Sequence, residues 1–329
     1  MVHVHSFLGG HSSGTFQEII SAAKANDLQF VVMTEHTEKD FDTAAMTLSG
    51  MHAGVLFVSG NEVSADNGDR SLVIPGNATQ SETPIKFVAY PQEFKNWGTD
   101  GFTGVEVFNV YTNARQINPV VAFFDVLWSK RSYPDLVFAL YYQRPNEDLK
   151  LWDEQLGRSR STAIAGNDAH SNIGLSLRDS SGKTLLGIQL DPYEVSFRLV
   201  RMHVLIDRNK PLSEANLLEA LRAGHCFVGF DFLGDTSGFS FSAESAPEQK
   251  IQGDDIAFST DTRLKVRTPV SSQVKLFKDG NVISDETGVT NKDFPVTERG
   301  VYRVEIYLPQ LGKLAAGKPW IISNSIGVR

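Results

Sequence analysis

The sequence predicts an α/β domain with a mostly parallel sheet over residues 1–232, followed by a small antiparallel β-sandwich over 235–329. Three observations carry this. Short apolar runs of strand type alternate with helix-spaced segments through the first two thirds of the chain. Beyond about residue 232, the Gly/Asp/Ser-rich FLGDTSGF leads into short alternating stretches: FSFSAE, RLKVRT, QVKLFKDG, VYRVEIYL and PWIISNS. Histidines and acids also stand directly behind the apolar runs, in HVHS, Thr34-Glu35-His36, GNE and GNDAH.

The elements follow in chain order. Phe16, Ile19, Ile20, Ala22 and Ala23 fall at helical spacing from Thr15 to about Asn26, with Ser13 or Thr15 as N-cap. Leu28 to Met33 reads as a buried strand ending at Glu35-His36, and GVLFVS as another ending at Glu62. Ile85 to Ala89 and GVEVFN at 104–109 are two more strands. Segments 114–130, 134–142 and 146–159 read as helices, the last capped by Asn146 with Leu149, Leu151, Trp152 and Leu156 as its apolar face. Thr162 to Ala165 is the strand that delivers Asp168. Asp279-Gly280 between two apolar runs predicts a hairpin.

Composition narrows the function. The chain has 329 residues, 41% of them hydrophobic and 21% charged, which suits a globular protein of about two domains. A formal charge of -8 with no basic stripe argues against nucleic-acid binding. One cysteine, Cys226, permits neither an intrachain disulfide nor a thiolate cluster, and its apolar HCFVGF context reads as core. No apolar run approaches the roughly 20 residues of a membrane span, and no signal peptide is visible. Only Met1 and Val2 precede His3, so a longer natural chain is expected upstream, with a further strand and room for an export signal; location stays open.

Imidazole nitrogen and carboxylate oxygen are ligands that zinc, manganese and iron accept. HxH on a strand puts His3 and His5 on one face, because side chains alternate with period two, and Asp168-x-His170 repeats the geometry. Four strand ends thus offer His3/His5, His36, Glu62 and Asp168/His170, converging on one mouth. A divalent ion there would generate hydroxide from bound water near neutral pH, which predicts a metal-dependent hydrolase.

The order HVHS, TEH, GNE, GNDAH resembles the PHP (polymerase and histidinol phosphatase) superfamily of metal-dependent phosphoesterases. LKLWDEQL, LDPYEVSFRLVRMHVLI, ALRAGHCFV and GKPWIISNSIGVR are similar to its carbaryl-hydrolase-like branch. The resemblance implies a distorted (β/α)7 barrel, TIM-like in having its metals at the strand C-termini, followed by a small all-β, immunoglobulin-like sandwich. By position it implies that His3, His5, Glu62 and Asp168 hold one metal and that His36 and His170 hold a second, with Glu62 bridging. Departures mark this chain as different. Where the family has an aspartate after HxHS, FLGGHSSG supplies Gly10 or Ser13, and His11 is the nearby residue able to ligate. Where the family has a histidine after GxE, the chain has Asp69, Arg70 and Ser71, and Tyr90 replaces the histidine of an HP step. One or two divalent ions (Zn, Mn or Fe) are therefore expected rather than three.

Other residues receive roles by chemistry. Arg115 is the candidate clamp for an anionic substrate, with Asn109 beside it, and Tyr90 can present its hydroxyl to a substrate oxygen. Glu35 is the candidate to orient His36 through its second ring nitrogen. His52, His203 and His225 read as structural. No G-x-S-x-G elbow, Walker A or G-x-G-x-x-G loop is present. The reading is an enzyme that hydrolyses small-molecule phosphoesters, carboxyl esters or carbamates, with oligomeric state open. The alternative is a non-catalytic binding protein with a degenerate metal site.

Overall fold

The computed structural model describes residues 1–76, 83–98, 101–114, 134–171, 174–178, 184–189 and 192–329. Its first helix, α1 (Phe16–Ala25), begins at a capping box. Thr15 Oγ1 accepts from the Glu18 N–H, and the Glu18 carboxylate accepts from the Thr15 N–H at 2.7 Å. Strands β1 (Phe30–Val32) and β2 (Glu35–His36), a short helix α2 (Thr43–Met46), and strands β3 (Gly50–His52) and β4 (Val55–Val58) follow. β1 pairs with β4 in parallel, and β3 lies antiparallel on the far side of β4.

Next come β5 (Asn61–Ser64), β6 (Arg70–Ile74), β7 (Ile85–Ala89) and β8 (Gly104–Asn109). Helices α3 (Val110–Ala114), α4 (Pro134–Tyr141) and α5 (Asn146–Leu156) lead to β9 (Thr162–Gly166). A six-stranded sheet runs β2-β5-β6-β7-β8-β9. Val4 bridges Met33 on one side and Ala169 on the other, so the N-terminal segment lies between the ends of β1 and β9. β10 (Gly174–Arg178) and β11 (Thr184–Gln189) form a separate antiparallel pair.

The remainder holds α6 (Tyr193–Ser196), β12 (Arg201–Val204), α7 (Glu214–Ala223) and β13 (Cys226–Gly229). It continues with β14 (Ser240–Ser245), β15 (Glu248–Ile251), β16 (Asp255–Ile256), β17 (Arg263–Lys278), β18 (Asn281–Pro295), β19 (Gly300–Tyr307), β20 (Ile321–Ser323) and β21 (Ile326–Val328). These last strands join β12 and β13 in one ten-stranded sheet.

This architecture corrects the expected (β/α)7 barrel and immunoglobulin-like sandwich. Strand makes up 38% of the structure and helix 21%, too few helices to cross over between successive parallel strands. The expectation fails first between β5 and β7. DNGDRSLVIPG, to which no strand was assigned, contains β6, and β6 pairs antiparallel with both β5 and β7. Gly68, at φ 88°, makes the first reversal, and the Asp69 carboxylate accepts the N–H groups of Lys95 and Asn96 beside it. A tight turn returns the chain antiparallel, whereas parallel pairing needs a long crossover.

The sandwich fails for a different reason. RLKVRT and QVKLFKDG read as separate strands, but RLKVRT and QVKLFK both lie in β17. Its first part pairs with β14 and its last part with β19, and its register against β18 shifts between Arg267 and Ser272, around Pro269. Such an irregularity lets one strand bend instead of ending, which curls a single sheet. β13 also pairs with β20, so the ten-stranded sheet crosses the sequence boundary expected at 232–235. The Asp279-Gly280 hairpin forms as expected, with φ of 47° and 78° at its two corner residues.

Polar contacts tie the ten-stranded sheet to β9 and α5. Asn324 Oδ1 accepts from the Ala163 N–H at 2.7 Å, and its Nδ2 donates to the Ala163 and Cys226 carbonyls, at 3.0 and 2.8 Å. Arg303, 2% exposed on β19, donates to both oxygens of Asp153 on α5 at 2.7 Å and to Glu305, which Arg144 also holds. The expected helix over 146–159 stops at Leu156, and Asn146 is its first residue rather than its cap. Most of the helix expected over 114–130 lies outside the described residues. Among the described residues no helix is long and apolar enough to cross a membrane.

Candidate metal centre

Four site residues, His3, His5, Asp168 and His170, come from the chain's opening segment and the stretch just after β9. Val4 makes the bridges to Met33 and Ala169, so its neighbours His3 and His5 project together to the other side. The His5 N–H donates to the Ala169 carbonyl at 3.1 Å, which ties this segment to Asp168 and His170. β5 brings Glu62, pairing His36 directly with it in the parallel β2–β5 register. Three site residues take left-handed backbone: His3 at φ 63°, Tyr90 at 51° and Asp168 at 48°. Non-glycine residues rarely sit there, and such strain concentrates at functional sites.

Two groups of ligand atoms result. One unites His3, His5, Glu62 and Asp168, all buried; the other unites His5, His36 and His170; within each, the ligand atoms lie within 4.8 Å of one another. His3 Nε2 is 3.2 Å from Glu62 Oε2 and 3.5 Å from Asp168 Oδ1, and His5 Nε2 is 3.4 and 3.5 Å from the same two atoms. His36 Nδ1 approaches Glu62 Oε2 at 3.7 Å, and His170 Nδ1 approaches Asp168 Oδ1 at 3.3 Å. The His5 ring stacks against those of His36 and His170, at 4.6 and 4.3 Å.

A divalent ion fits this group. Both ring nitrogens of His5 and Oδ1 of Asp168 are buried and have no hydrogen-bond partner. Buried polar atoms are normally paired, and leaving one unpaired costs about 1–3 kcal/mol. Histidine with carboxylate is a donor set for zinc, manganese or iron. The atoms facing away from the group are engaged. Glu106 Oε1 lies 2.6 Å from His3 Nδ1, Tyr90 Oη donates to Asp168 Oδ2 at 2.6 Å, and Arg70 Nη1 donates to Glu62 Oε1 at 3.2 Å. Asn109 Nδ2 donates to Glu106 at 3.2 Å and to Asp168 Oδ2 at 3.3 Å.

Electrostatics divides the imidazoles. Burial disfavours a charged His3, but the Glu106 and Asp168 carboxylates outweigh it and hold its pKa well above the ordinary value. His5 is raised in the same way, burial being outweighed by Asp168 and Glu62. His36 goes the other way, lowered to about 4 by burial and then by His5. His170 is also lowered, by burial and His5. Glu62 and Asp168 sit far below the usual carboxylate range despite burial, because His3 and His5 favour their ionised forms.

Of the residues expected at the site, the structure gathers His3, His5, His36, Glu62, Asp168 and His170. His11 lies outside both ligand groups; its ring meets His36 edge-on at 4.9 Å, and it is exposed. The Tyr90 hydroxyl is given to Asp168. Glu35 holds the opening loop instead of His36: its oxygens take the Ser6 N–H and hydroxyl and the Thr47 hydroxyl. Arg115 lies outside the described residues. His52, His203 and His225 stand apart from the ligand groups; His203 pairs with Asp231, and His225 with Asp254. Glu106 was missed, although it is the one charge in GVEVFN, a strand buried at all six positions. A carboxylate there needs a partner.

No family model matches the chain, and no curated protein matches it.

Proposed function

We propose that the protein is a metal-dependent hydrolase of ester bonds, acting on phosphoesters, carboxyl esters or carbamates, with one or two divalent ions as cofactor. The observation that carries this reading is the convergence of buried, unpartnered donor atoms of His5 and Asp168 on His3 and Glu62. The group also reaches the surface. His3, His5, Glu62 and Asp168 are closed in, whereas the side chains of His36 and His170 keep 21% and 14% of their exposure. Purely structural metal sites are closed, and catalytic ones keep an open position. The motif order resembles the PHP superfamily, which supports the same chemistry although the sheets are arranged differently.

A divalent ion bound here supplies Lewis acidity toward the ester oxygen and acidifies water. The protein's part is to hold the ligands. Glu106 keeps the His3 Nδ1 proton, so that Nε2 faces the group. Tyr90 and Asn109 fix the outer oxygen of Asp168, leaving Oδ1 inward. His36 and His170, neutral near pH 7, line the opening with nitrogen lone pairs available.

The test is metal content by elemental analysis, with turnover of p-nitrophenyl phosphate, p-nitrophenyl acetate and an aryl carbamate. One or two equivalents of zinc, manganese or iron are expected, with binding and turnover lost in His5→Ala and Asp168→Ala. Undiminished hydrolysis in either variant, or no metal taken up on reconstitution, overturns the reading; the latter brings forward a non-catalytic binding protein.

A further inference from the structure

Each ligand carboxylate turns one oxygen inward and one outward. Glu62 Oε2 faces His3, His5 and His36, while Oε1 accepts from Arg70 Nη1 at 3.2 Å. Asp168 Oδ1 faces His3, His5 and His170, while Oδ2 accepts from Tyr90 Oη at 2.6 Å. The Arg70 guanidinium itself lies over the Tyr90 ring, 5.0 Å from its centroid. Arg70 and Tyr90 are therefore one stacked pair that holds both outer oxygens.

Arg70 is placed for more than this. A guanidinium carries five N–H donors, more than Glu62 and the Tyr90 hydroxyl take up. The side chain remains 43% exposed while Tyr90 and Glu62 fix its plane. Its exposed edge can meet an anion that approaches from solvent. The planar fork of arginine matches the oxygens of a phosphoryl group, and charge accumulates on those oxygens during transfer.

We propose that Arg70 is the substrate-binding residue of this centre and takes an anionic oxygen of the substrate beside the bond that is cut. The inference rests on the hydrolase reading above and narrows it: phosphoesters carry charge on the scissile group, while carboxyl esters and carbamates do not.

The experiment compares wild type, Arg70→Gln and Arg70→Lys by titration calorimetry with inorganic phosphate, on protein as purified and after chelation. Metal content is measured alongside. Phosphate affinity is expected to fall about 10–100-fold in Arg70→Gln, the range of a hydrogen bond to a charged group. Arg70→Lys is expected in between, since it keeps the charge and loses the fork. In turnover, kcat/KM for p-nitrophenyl phosphate should fall about tenfold further than that for p-nitrophenyl acetate. Equal phosphate affinity in wild type and Arg70→Gln overturns the proposal. So does an equal loss on both esters, or a loss of metal in Arg70→Gln, which would leave Arg70 only the task of holding Glu62. If wild type cleaves neither ester, the hydrolase reading falls, and phosphate calorimetry still decides the role of Arg70.

Discussion

His3 Nδ1 and Glu106 Oε1 lie 2.6 Å apart, and both side chains are fully buried. A carboxylate can only accept, so the proton between them sits on Nδ1 and fixes which imidazole nitrogen faces Glu62 and Asp168. Histidine ligands are commonly held this way, and loss of the outer partner lowers metal affinity about 10–100-fold. Glu106→Gln preserves shape and removes the charge. Its affinity for zinc or manganese, measured by competition with a chelator, is expected to fall within that range. Wild-type affinity in Glu106→Gln would show that His3 needs no such anchor.

A second carboxylate gives a pH signature. Asp148 on α5 is 8% exposed and accepts from Gln92 Nε2 at 3.0 Å. Burial pushes its pKa up to about 7, the Gln92 bond opposes this, and Glu106 and Glu147 add to it. The folded value lies above the unfolded one of 3.8, so the native state binds the extra proton. That stabilisation is complete below pH 3.8 and is lost as pH rises through about 7. Asp148→Asn mimics the protonated form at every pH. Its melting temperature should match wild type near pH 4 and exceed it at pH 8, by the equivalent of about 1–4 kcal/mol. A constant difference across that range would contradict the assignment.

The ligand residues were legible in the sequence because metal donors are few chemical types at short, regular spacing. His3-x-His5 and Asp168-x-His170 needed only the period of an extended chain. The outer partners were legible only in part: Tyr90 and Asn109 were named, but for substrate rather than for Asp168. Glu106, Arg70 and Tyr90 reach the centre through pairings distant in sequence, and nothing local to GVEVFN names His3 as its partner. The fold was misread where the turns lie. β6 was hidden in a Gly/Asp-rich segment that also satisfies a loop, and its pairing turns a βα alternation into a meander. The bend in β17 was invisible because a proline and polar residues interrupt the apolar period, which from sequence alone reads as two strands.

The contact between the ten-stranded sheet and α5 rests on a charge that cannot be removed singly. Arg303 is 2% exposed and neutralises Asp153 and Glu305. Removing one partner of a buried pair leaves an uncompensated charge and costs about 3–5 kcal/mol. Arg303→Met should therefore lower the unfolding midpoint strongly. Adding Asp153→Asn should recover part of the loss, since its stranded charge disappears with its partner, while Glu305 stays paired with Arg144. A double variant less stable than Arg303→Met would show that the side-chain bonds themselves, rather than charge balance, hold this contact.

Gly14 controls the centre from a distance. A methyl group at this position would lie 2.0 Å from Tyr193 Oη and 2.3–2.4 Å from two of its ring carbons. Tyr193 has little room to yield: it is 2% exposed and packs near Phe197 at 5.7 Å between ring centroids. Its hydroxyl donates to the His5 carbonyl at 2.6 Å, so displacing the ring displaces the backbone that aims His5. Gly14→Ala is expected to cost about 1–3 kcal/mol by overpacking. It should also weaken metal binding about tenfold, because the ligand moves while its chemistry is unchanged. Tyr193→Phe separates the two effects. It keeps the ring in place and gives up the hydroxyl's bonds to the His5 carbonyl and Ser12 Oγ, each worth about 1 kcal/mol, so its metal affinity should stay closer to wild type. If Tyr193→Phe and Gly14→Ala weaken metal binding equally, it is the hydroxyl bond that positions His5; if neither does, the opening segment holds His5 through its pairing with Ala169 alone.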